Sequence, residues 1–307
     1  MSLYLVTGGA GYIGSHIVNH LLSQGYSVRV IDNLVSGKRS RIPNGVDFVE
    51  GDIRDHETIS RATKGVDGIF HLAALPRVSY SLEHPAEVYD VNVAGTLHLL
   101  EAARKNGVRR IVFSSSSAIY GNAEILPTDE SHPANPLNPY AQSKYMCEQI
   151  LKQYADLFAL ETVSLRYFNA YGPLMEEDAA YATVIAAFLG CRRRNEPFLI
   201  HGTGEQTRDF VHVSDIAKAN LLAMTSTDVG HGEIINIGSG ESVSIHAIAE
   251  RMRSKEGVIY QASRLGDARH TRARIEKAKT LLNWEPTILF DRGIEDVLKA
   301  EKHESSY

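Results

Sequence analysis

The stretch Val6-Thr7-Gly8-Gly9-Ala10-Gly11-Tyr12-Ile13-Gly14 decides how the rest of the chain is read. It follows a short β-forming run, Leu3–Val6, and opens a helical pattern with an apolar face at Ile13, Ile17, Leu21 and Leu22. Glycines 8, 11 and 14 keep a G-x-x-G-x-x-G spacing, and glycines 9, 11 and 14 also satisfy G-x-G-x-x-G. A strand that turns sharply into a helix, with no Cβ atoms in the way, lets a pyrophosphate reach free N–H groups at the helix's positive end. Glycines also mark ordinary turns, so context carries the weight. Asp32 closes the second β-forming run eighteen residues after Gly14. A carboxylate there accepts hydrogen bonds from the adenosine ribose and repels a 2′-phosphate, which favours NAD over NADP. Asp52, in Gly51-Asp52-Ile53, follows the third run and is placed to accept from the adenine amino group. His71-Leu72-Ala73-Ala74 ends the fourth, where small residues let a cofactor lie on the backbone; His71 itself reads as a satisfied core histidine.

Outward from this turn, β-rich runs recur at Leu3–Val6, Val28–Ile31, Asp47–Val49, Ile69–Leu72, Ile111–Phe113 and Thr162–Leu165, with helical patterns between most of them. Repeated strand–helix–strand units imply a parallel sheet with helices on both faces and right-handed crossovers. The alternation breaks near Tyr171-Gly172-Pro173. Beyond it the pattern predicts helices near Ala179–Arg193, after Ser214, and near Ser244–Arg253, Ile275–Leu282 and Asp291–Ala300, with strands at Phe198–Ile200 and Ile234–Ile237. The expected architecture is α/β: a Rossmann-type doubly wound parallel sheet with a smaller mixed α/β substrate domain. Residues 1–170 form the first part and 171–307 the second, with some later segments returning to the first.

Composition narrows the function class. The chain of 307 residues is 43% hydrophobic and 22% charged with a net charge of −5, which weighs against nucleic-acid binding. The one basic run, Arg192-Arg193-Arg194, follows an apolar helical pattern and reads as a cationic helix end. Cys147 and Cys191 give no disulfide framework. With Met1 leading straight into the first strand, no signal peptide is expected, and no apolar stretch approaches the ~18 residues of a membrane span. A soluble, cytoplasmic protein is expected. The thirteen histidines show no metal-ligand spacing.

Tyr140 and Lys144 stand at i and i+4 on one face of a helix that Asn138 caps and Pro139 opens. A free tyrosine has a pKa near ~10, and lowering it by ~3 units takes about 4 kcal/mol of differential stabilisation. The neighbouring ammonium, together with the positive nicotinamide of NAD, is expected to supply it. The fifth run ends in Phe113-Ser114-Ser115-Ser116-Ser117, a serine loop that can offer a hydroxyl to a developing oxyanion.

Taken jointly, these residues resemble the extended short-chain dehydrogenase/reductase family from end to end, and within it the enzymes that epimerise UDP-glucose and UDP-N-acetylglucosamine at C4. The resemblance implies Ser116, Tyr140 and Lys144 as catalytic residues. It implies NAD held by Gly8, Gly11, Tyr12, Ile13 and Gly14, by Asp32, Asn33, Ser36 and Gly37, and by Asp52 and Ile53. Leu72, Ala73, Ala74, Asn92, Ser114, Ser115, Tyr140, Lys144, Tyr167 and Phe168 complete that site. For the UDP-sugar it implies Arg77, Ser116, Asn169, Thr183, Val184, Leu199, His201, Arg208, Arg264, Asp267 and Thr271. Arg208 and Arg264 suit a diphosphate because a guanidinium fork matches its oxygens. A homodimer, paired through helices near 86–105 and 140–157, is implied too.

Two departures bear on substrate choice. Pro76 stands where some relatives carry a lysine, leaving Arg77 to compensate. Thr271 is small at a position where a tyrosine goes with plain hexoses, so acetamido sugars fit the expectation as well. Related dehydratases carry Asp-Glu after the catalytic hydroxyl and related decarboxylases a Glu two residues after it; Ser117-Ala118 carry neither. The rival readings are another nucleotide-sugar modifier, such as a UDP-glucuronate epimerase or decarboxylase, and a non-catalytic dinucleotide sensor on the same fold.

Overall fold

The computed structural model describes residues 2–175, 183–253, 255–262 and 268–304. The first half runs β1 (Leu3–Thr7), α1 (Tyr12–Ser23), β2 (Ser27–Asp32), β3 (Asp47–Glu50), α2 (His56–Ala62), β4 (Gly68–His71), α3 (Val78–Glu83) and α4 (Pro85–Tyr89). A π-helical stretch, Asp90–Ala94, leads into α5 (Gly95–Lys105), β5 (Arg110–Ser116), α6 (Pro139–Phe158) and β6 (Glu161–Tyr167). The second half runs β7 (Asn169–Tyr171), α7 (Val184–Arg194), β8 (Phe198–His201), β9 (Thr207–Arg208), β10 (Phe210–His212) and α8 (Val213–Thr225). It ends with β11 (His231–Ile237), β12 (Val243–Ser244), α9 (Ile245–Met252), β13 (Val258–Gln261), α10 (Glu276–Leu282) and α11 (Phe290–Glu304).

Seven strands form one sheet in the order β11-β6-β5-β4-β1-β2-β3, every pair parallel. The central strands are apolar on both faces because helices cover both. Val6, Val30, Phe70 and Val112 face α1 and α8 through Ile17, Leu21, Ile216 and Ala219. Leu5, Ile31, Ile69 and Ile111 face α2, α5 and α6 through Ile59, Leu99, Ala103 and Leu151. Strand order reverses between β1 and β4, where Thr7 and His71 are register partners. That switch point opens the cleft where ligands of such sheets bind.

The strand expected at Ile234–Ile237 is longer and does not belong to a separate small sheet. As β11 it pairs with β6 at the edge of the large one. With it, α8 and α10 pack into the first core, while a second core gathers Tyr171, Phe188, Phe198, Phe210, Ile248 and Phe290. Phe188 and Phe198 stack there with centroids 4.2 Å apart. The serines after Phe113 are not a loop: β5 continues to Ser116 because Ser114, Ser115 and Ser116 stay in register with Leu165, Arg166 and Tyr167 of β6. The helix expected from Ala179 begins later, at Val184, because Thr183 before it is extended; residues 179–182 lie outside the described residues.

Candidate active site

The glycine turn has the shape a dinucleotide needs. Gly8 holds φ +68°, and a Cβ there would stand 2.8 Å from the Ala73 nitrogen. A Cβ on Gly14 would stand 2.2 Å from the Gly8 oxygen, so turn and helix pack backbone to backbone. Helix α1 begins after Gly11 with no side-chain cap and no acidic residue in its first turn. Its leading N–H groups and positive end therefore fit a pyrophosphate. The side chains of Tyr12 and Ile13 point elsewhere: Ile13 packs on the core, and the Tyr12 hydroxyl lies beside Gly172, 3.3 Å from where a Cβ would be.

Asp32 has a structural role that sequence reasoning missed. Its carboxylate accepts from the Ala10 amide at 2.9 Å and the Leu34 amide at 2.8 Å, so it also shapes the glycine turn. Burial pushes its carboxyl above the usual range. The loop carrying Ser36 returns so closely that a Cβ on Gly37 would meet Asp32 Oδ1 at 2.7 Å. Asp52 is gripped by a residue the sequence reading missed. Arg54 donates from Nε at 3.0 Å and Nη2 at 2.8 Å, and Asn33 Nδ2 donates at 3.1 Å. Arg54 chiefly holds the Asp52 carboxyl down at about 2. Ile53 is buried below it against Gly95.

At the end of β4, His71 is the satisfied core histidine expected, and its proton can be placed. Thr96 Oγ1 donates to the Asn92 carbonyl, so it accepts from His71 Nε2 at 2.9 Å. Nδ1 then accepts from the Thr7 hydroxyl at 2.7 Å, while Thr7 Oγ1 accepts the Leu72 and Ala73 amides. Burial lowers the His71 pKa to about 3. This latch fixes Leu72, Ala73 and Ala74 against the glycine turn. Asn92 is a strut: its amide bonds the Leu75 amide and carbonyl and Ser143 Oγ.

The structure brings Ser116, Tyr140 and Lys144 together at the ends of β5 and α6. Asn138 caps α6 by accepting from the Ala141 amide at 2.9 Å. The Ser116 hydroxyl stands beside the Tyr140 phenol, close enough to oppose the effect of burial on it. Lys144 Nζ donates to the Ser114 carbonyl at 2.7 Å and lies 4.6 Å from the Phe113 ring centroid. Burial pulls the Lys144 pKa down to about 8. Burial raises the Tyr140 phenol and the Ser116 hydroxyl opposes it; the ammonium of Lys144 gives its hydrogen bond to the Ser114 carbonyl, and the lowering expected of Lys144 and the nicotinamide together belongs to the NAD-bound site. Ser114 Oγ and Tyr167 Oη lie 3.0 Å apart, and Asn220 Nδ2 donates to that phenol at 2.7 Å. Phe168 is buried, its amide donating to the Ile237 carbonyl at 2.9 Å. Ser115 Oγ donates to Glu148, a carboxylate the sequence reading passed over.

On the second lobe, Asn169 Nδ2 donates to the Asp209 carbonyl at 2.8 Å, joining β7 to β10. Arg208 Nη1 donates to the Thr207 and Arg269 carbonyls at 3.0 and 3.1 Å. Thr271 Oγ1 accepts from the Asp209 amide at 3.1 Å, so this small residue has a structural bond as well. His201 Nδ1 lies 3.1 Å from the Ala262 carbonyl, and Leu199 is exposed. Thr183 precedes Val184 at the start of α7, and Arg77 precedes α3. Arg264 and Asp267 lie outside the described residues. The hub of this lobe is Asp209, whose carboxylate accepts from the Ser239, Gly240 and Ala273 amides and the Ser239 hydroxyl.

Residues 4–238 match the NAD dependent epimerase/dehydratase family. The chain belongs to this family. It is 40% identical to a putative UDP-glucose 4-epimerase of Methanocaldococcus jannaschii, covering 98% of this chain and 99% of that one. A UDP-glucose 4-epimerase from Thermotoga maritima, solved with UDP-glucose, superposes with a TM-score of 0.94 at 37% identity over 99% of each chain. A UDP-N-acetylglucosamine 4-epimerase from Methanobrevibacter ruminantium, in complex with UDP-N-acetylmuramic acid, superposes with 0.93 at 35% identity over 99% of each. The cofactor of this NAD dependent epimerase/dehydratase is NAD, and the cradle above residues 8–14 fits it.

Proposed function

We infer that this chain is a UDP-hexose 4-epimerase acting on UDP-glucose and UDP-galactose, with their N-acetylated forms as further substrates. The convergence of Ser116, Tyr140 and Lys144 beside the glycine cradle carries this reading. Bound NAD supplies a reversible hydride acceptor. Tyr140 Oη takes the proton from the sugar 4-hydroxyl and later returns one to the same oxygen. Ser116 Oγ donates to that oxygen as charge develops on it. Lys144 holds positive charge beneath the pair and orients the cofactor ribose.

Inverting a centre requires the sugar ring to present both faces while its anchor stays put. Asn169 and Arg208, with Arg264 and Asp267, hold the nucleoside diphosphate; Thr271 leaves room beside the hexose. Ser117 and Ala118 form the turn directly after Ser116, and neither carries a carboxyl to expel water or take part in decarboxylation. In this reading residues 1–170 hold NAD and residues 171–307 hold the nucleotide sugar, except for the segments that return to the sheet. The protein works in the cytoplasm as a homodimer, pairing the helical face that leaves Leu97 and Met146 exposed. Light scattering tests the last point.

Incubating the purified protein separately with UDP-glucose and UDP-N-acetylglucosamine, without added cofactor, is expected to give the 4-epimers. Tyr140→Phe is expected to lose at least about a hundredfold in kcat. Near-normal turnover by that variant defeats the reading. NAD released on denaturation with no turnover of any UDP-sugar returns the dinucleotide-sensor alternative.

A further inference from the structure

Three successive residues at the end of β5 each meet a successive turn of α6. Ser116 stands beside Tyr140, the Ser114 carbonyl accepts from Lys144, and Ser115 Oγ donates to Glu148 Oε1 at 2.5 Å. On the helix these partners fall four residues apart, along one stripe. The chemistry derived above uses the first two. The third ends on a carboxylate with no part in it, 1% exposed.

That carboxylate is fully engaged. Glu148 Oε1 accepts from Arg166 Nε at 2.9 Å, and Oε2 accepts from Arg166 Nη2 at 2.6 Å. Arg166 sits on β6 as the register partner of Ser115, so strand, strand and helix meet at one buried ion pair. The guanidinium carbon lies 4.6 Å from the Tyr120 ring centroid, and the Tyr120 hydroxyl donates to Asn236 of β11 at 2.7 Å. Buried pairs of this kind add little stability over well-packed apolar residues of the same volume. This one supplies two things an apolar pair lacks: a fixed acceptor for the Ser115 hydroxyl, and a negative charge one turn beyond Lys144.

We propose that Glu148, clamped by Arg166, is a positioning residue for the reaction. Through Ser115 it fixes the end of β5, so that the Ser116 hydroxyl and Ser114 carbonyl stay aligned with Tyr140 and Lys144. This rests on the epimerase reading of the same site. The groups that face Lys144 are Tyr140, Cys147 and Glu148 on α6 and His71 at the end of β4, and Arg166 faces Glu148 from β6. Burial disfavours the ammonium of Lys144, and Cys147 and Glu148 oppose that effect. Removing the negative charge therefore makes Lys144 lose its proton at lower pH.

The test uses the full chain with its bound NAD in four forms: wild type, Ser115→Ala, Ser115→Thr and Glu148→Gln. Ser115→Ala is expected to lose about tenfold in kcat at unchanged KM, within the reach of a small displacement of catalytic groups. Ser115→Thr restores the hydroxyl and stays within about twofold of wild type. Glu148→Gln keeps an oxygen for Ser115 but moves the alkaline limb of kcat to lower pH by about half a unit or more. Bound NAD and the thermal midpoint are measured in every variant and kcat is taken per NAD-loaded chain, so that lost cofactor is not counted as lost alignment. Equal kcat in Ser115→Ala and Ser115→Thr overturns the proposal even if Glu148→Gln does not fold. The Lys144 titration, followed by NMR of 13Cε-labelled lysine, separates the two failures. A wild type that turns over no UDP-sugar, while the Lys144 midpoint falls in Glu148→Gln, sinks the epimerase reading and keeps the tie between Glu148 and Lys144. A wild type that epimerises, while kcat and that midpoint stay unmoved in the variants, sinks the positioning role.

Discussion

Replacing Gly14 with alanine isolates the part of the fold that admits NAD. The new Cβ would stand 2.2 Å from the Gly8 oxygen, 2.8 Å from Gly9 Cα and 2.9 Å from the Gly8 carbonyl carbon. Ordinary contact starts at 3.4 Å, so turn and helix must part by 3.4 − 2.2 = 1.2 Å. All three neighbours are backbone atoms, and none can rotate out of the way. Overpacking of this kind costs about 1–3 kcal/mol of stability. The same movement spoils the cradle itself, and a loss of only about 1.4 kcal/mol in binding is tenfold in affinity. Gly25→Ala is the matched control. Gly25 holds φ +82° with nothing within 4 Å of its notional Cβ, so its cost is purely conformational, about 1–2 kcal/mol. Both variants are expected to melt earlier, but only Gly14→Ala is expected to purify with little NAD. The assay denatures each protein and measures released NAD per chain by chromatography, beside its melting curve. A Gly14→Ala protein that keeps a full complement of NAD and its melting temperature refutes the steric argument.

Three further outcomes follow from buried groups and one surface pair. His71 is protonated near 6.5 when unfolded but only near about 3 when folded. The unfolded chain then binds more protons, so stability is full above that window and falls as pH drops through it, by about 1.4 kcal/mol per unit. Burial lowers the pKa of His16 and His212 also, adding to the same trend. Urea midpoints that match at pH near ~7.5 and ~5 count against it. Arg110 donates to the carbonyls of Ala223, Met224, Ser226 and Val229 and to Glu161 at 2.6–3.0 Å. Arg110→Met leaves these carbonyls short of a donor and is expected to cost about 1–3 kcal/mol in urea unfolding; an unchanged urea midpoint contradicts it. The Asp129–Arg274 pair is partly exposed at 3.2 Å, so Asp129→Ala is expected to cost less than about 1 kcal/mol. A larger loss means the loop around Asp129 does more than the ion pair indicates.

What could be read in the sequence is what local spacing encodes. The glycine turn, Asp32 and the i, i+4 pair of Tyr140 and Lys144 state their geometry within a few residues. So does the Asn138–Pro139 start of α6. Groups whose partners are remote in sequence were not legible. Arg166 was visible only within a motif, and its partner Glu148 lies eighteen residues earlier, across a strand and a helix. Asp209 gathers donors thirty and sixty-four residues away. The serines after Phe113 look like turn formers, yet ladder pairing with β6 holds them extended.

The seventh strand gives the chain a closed history. The polypeptide leaves the sheet after β6, builds part of a second lobe, and comes back to lay β11 along the edge it left open. A fragment cut at residue 170 would retain its glycine turn and Asp32, yet carry a raw β6 edge with Val163 and Leu165 short of their cover from Ile235 and Ile237. The seven-stranded sheet thus cannot be completed until about half of the chain beyond residue 170 has been made. Shuffling the lobes between relatives at that point would break both.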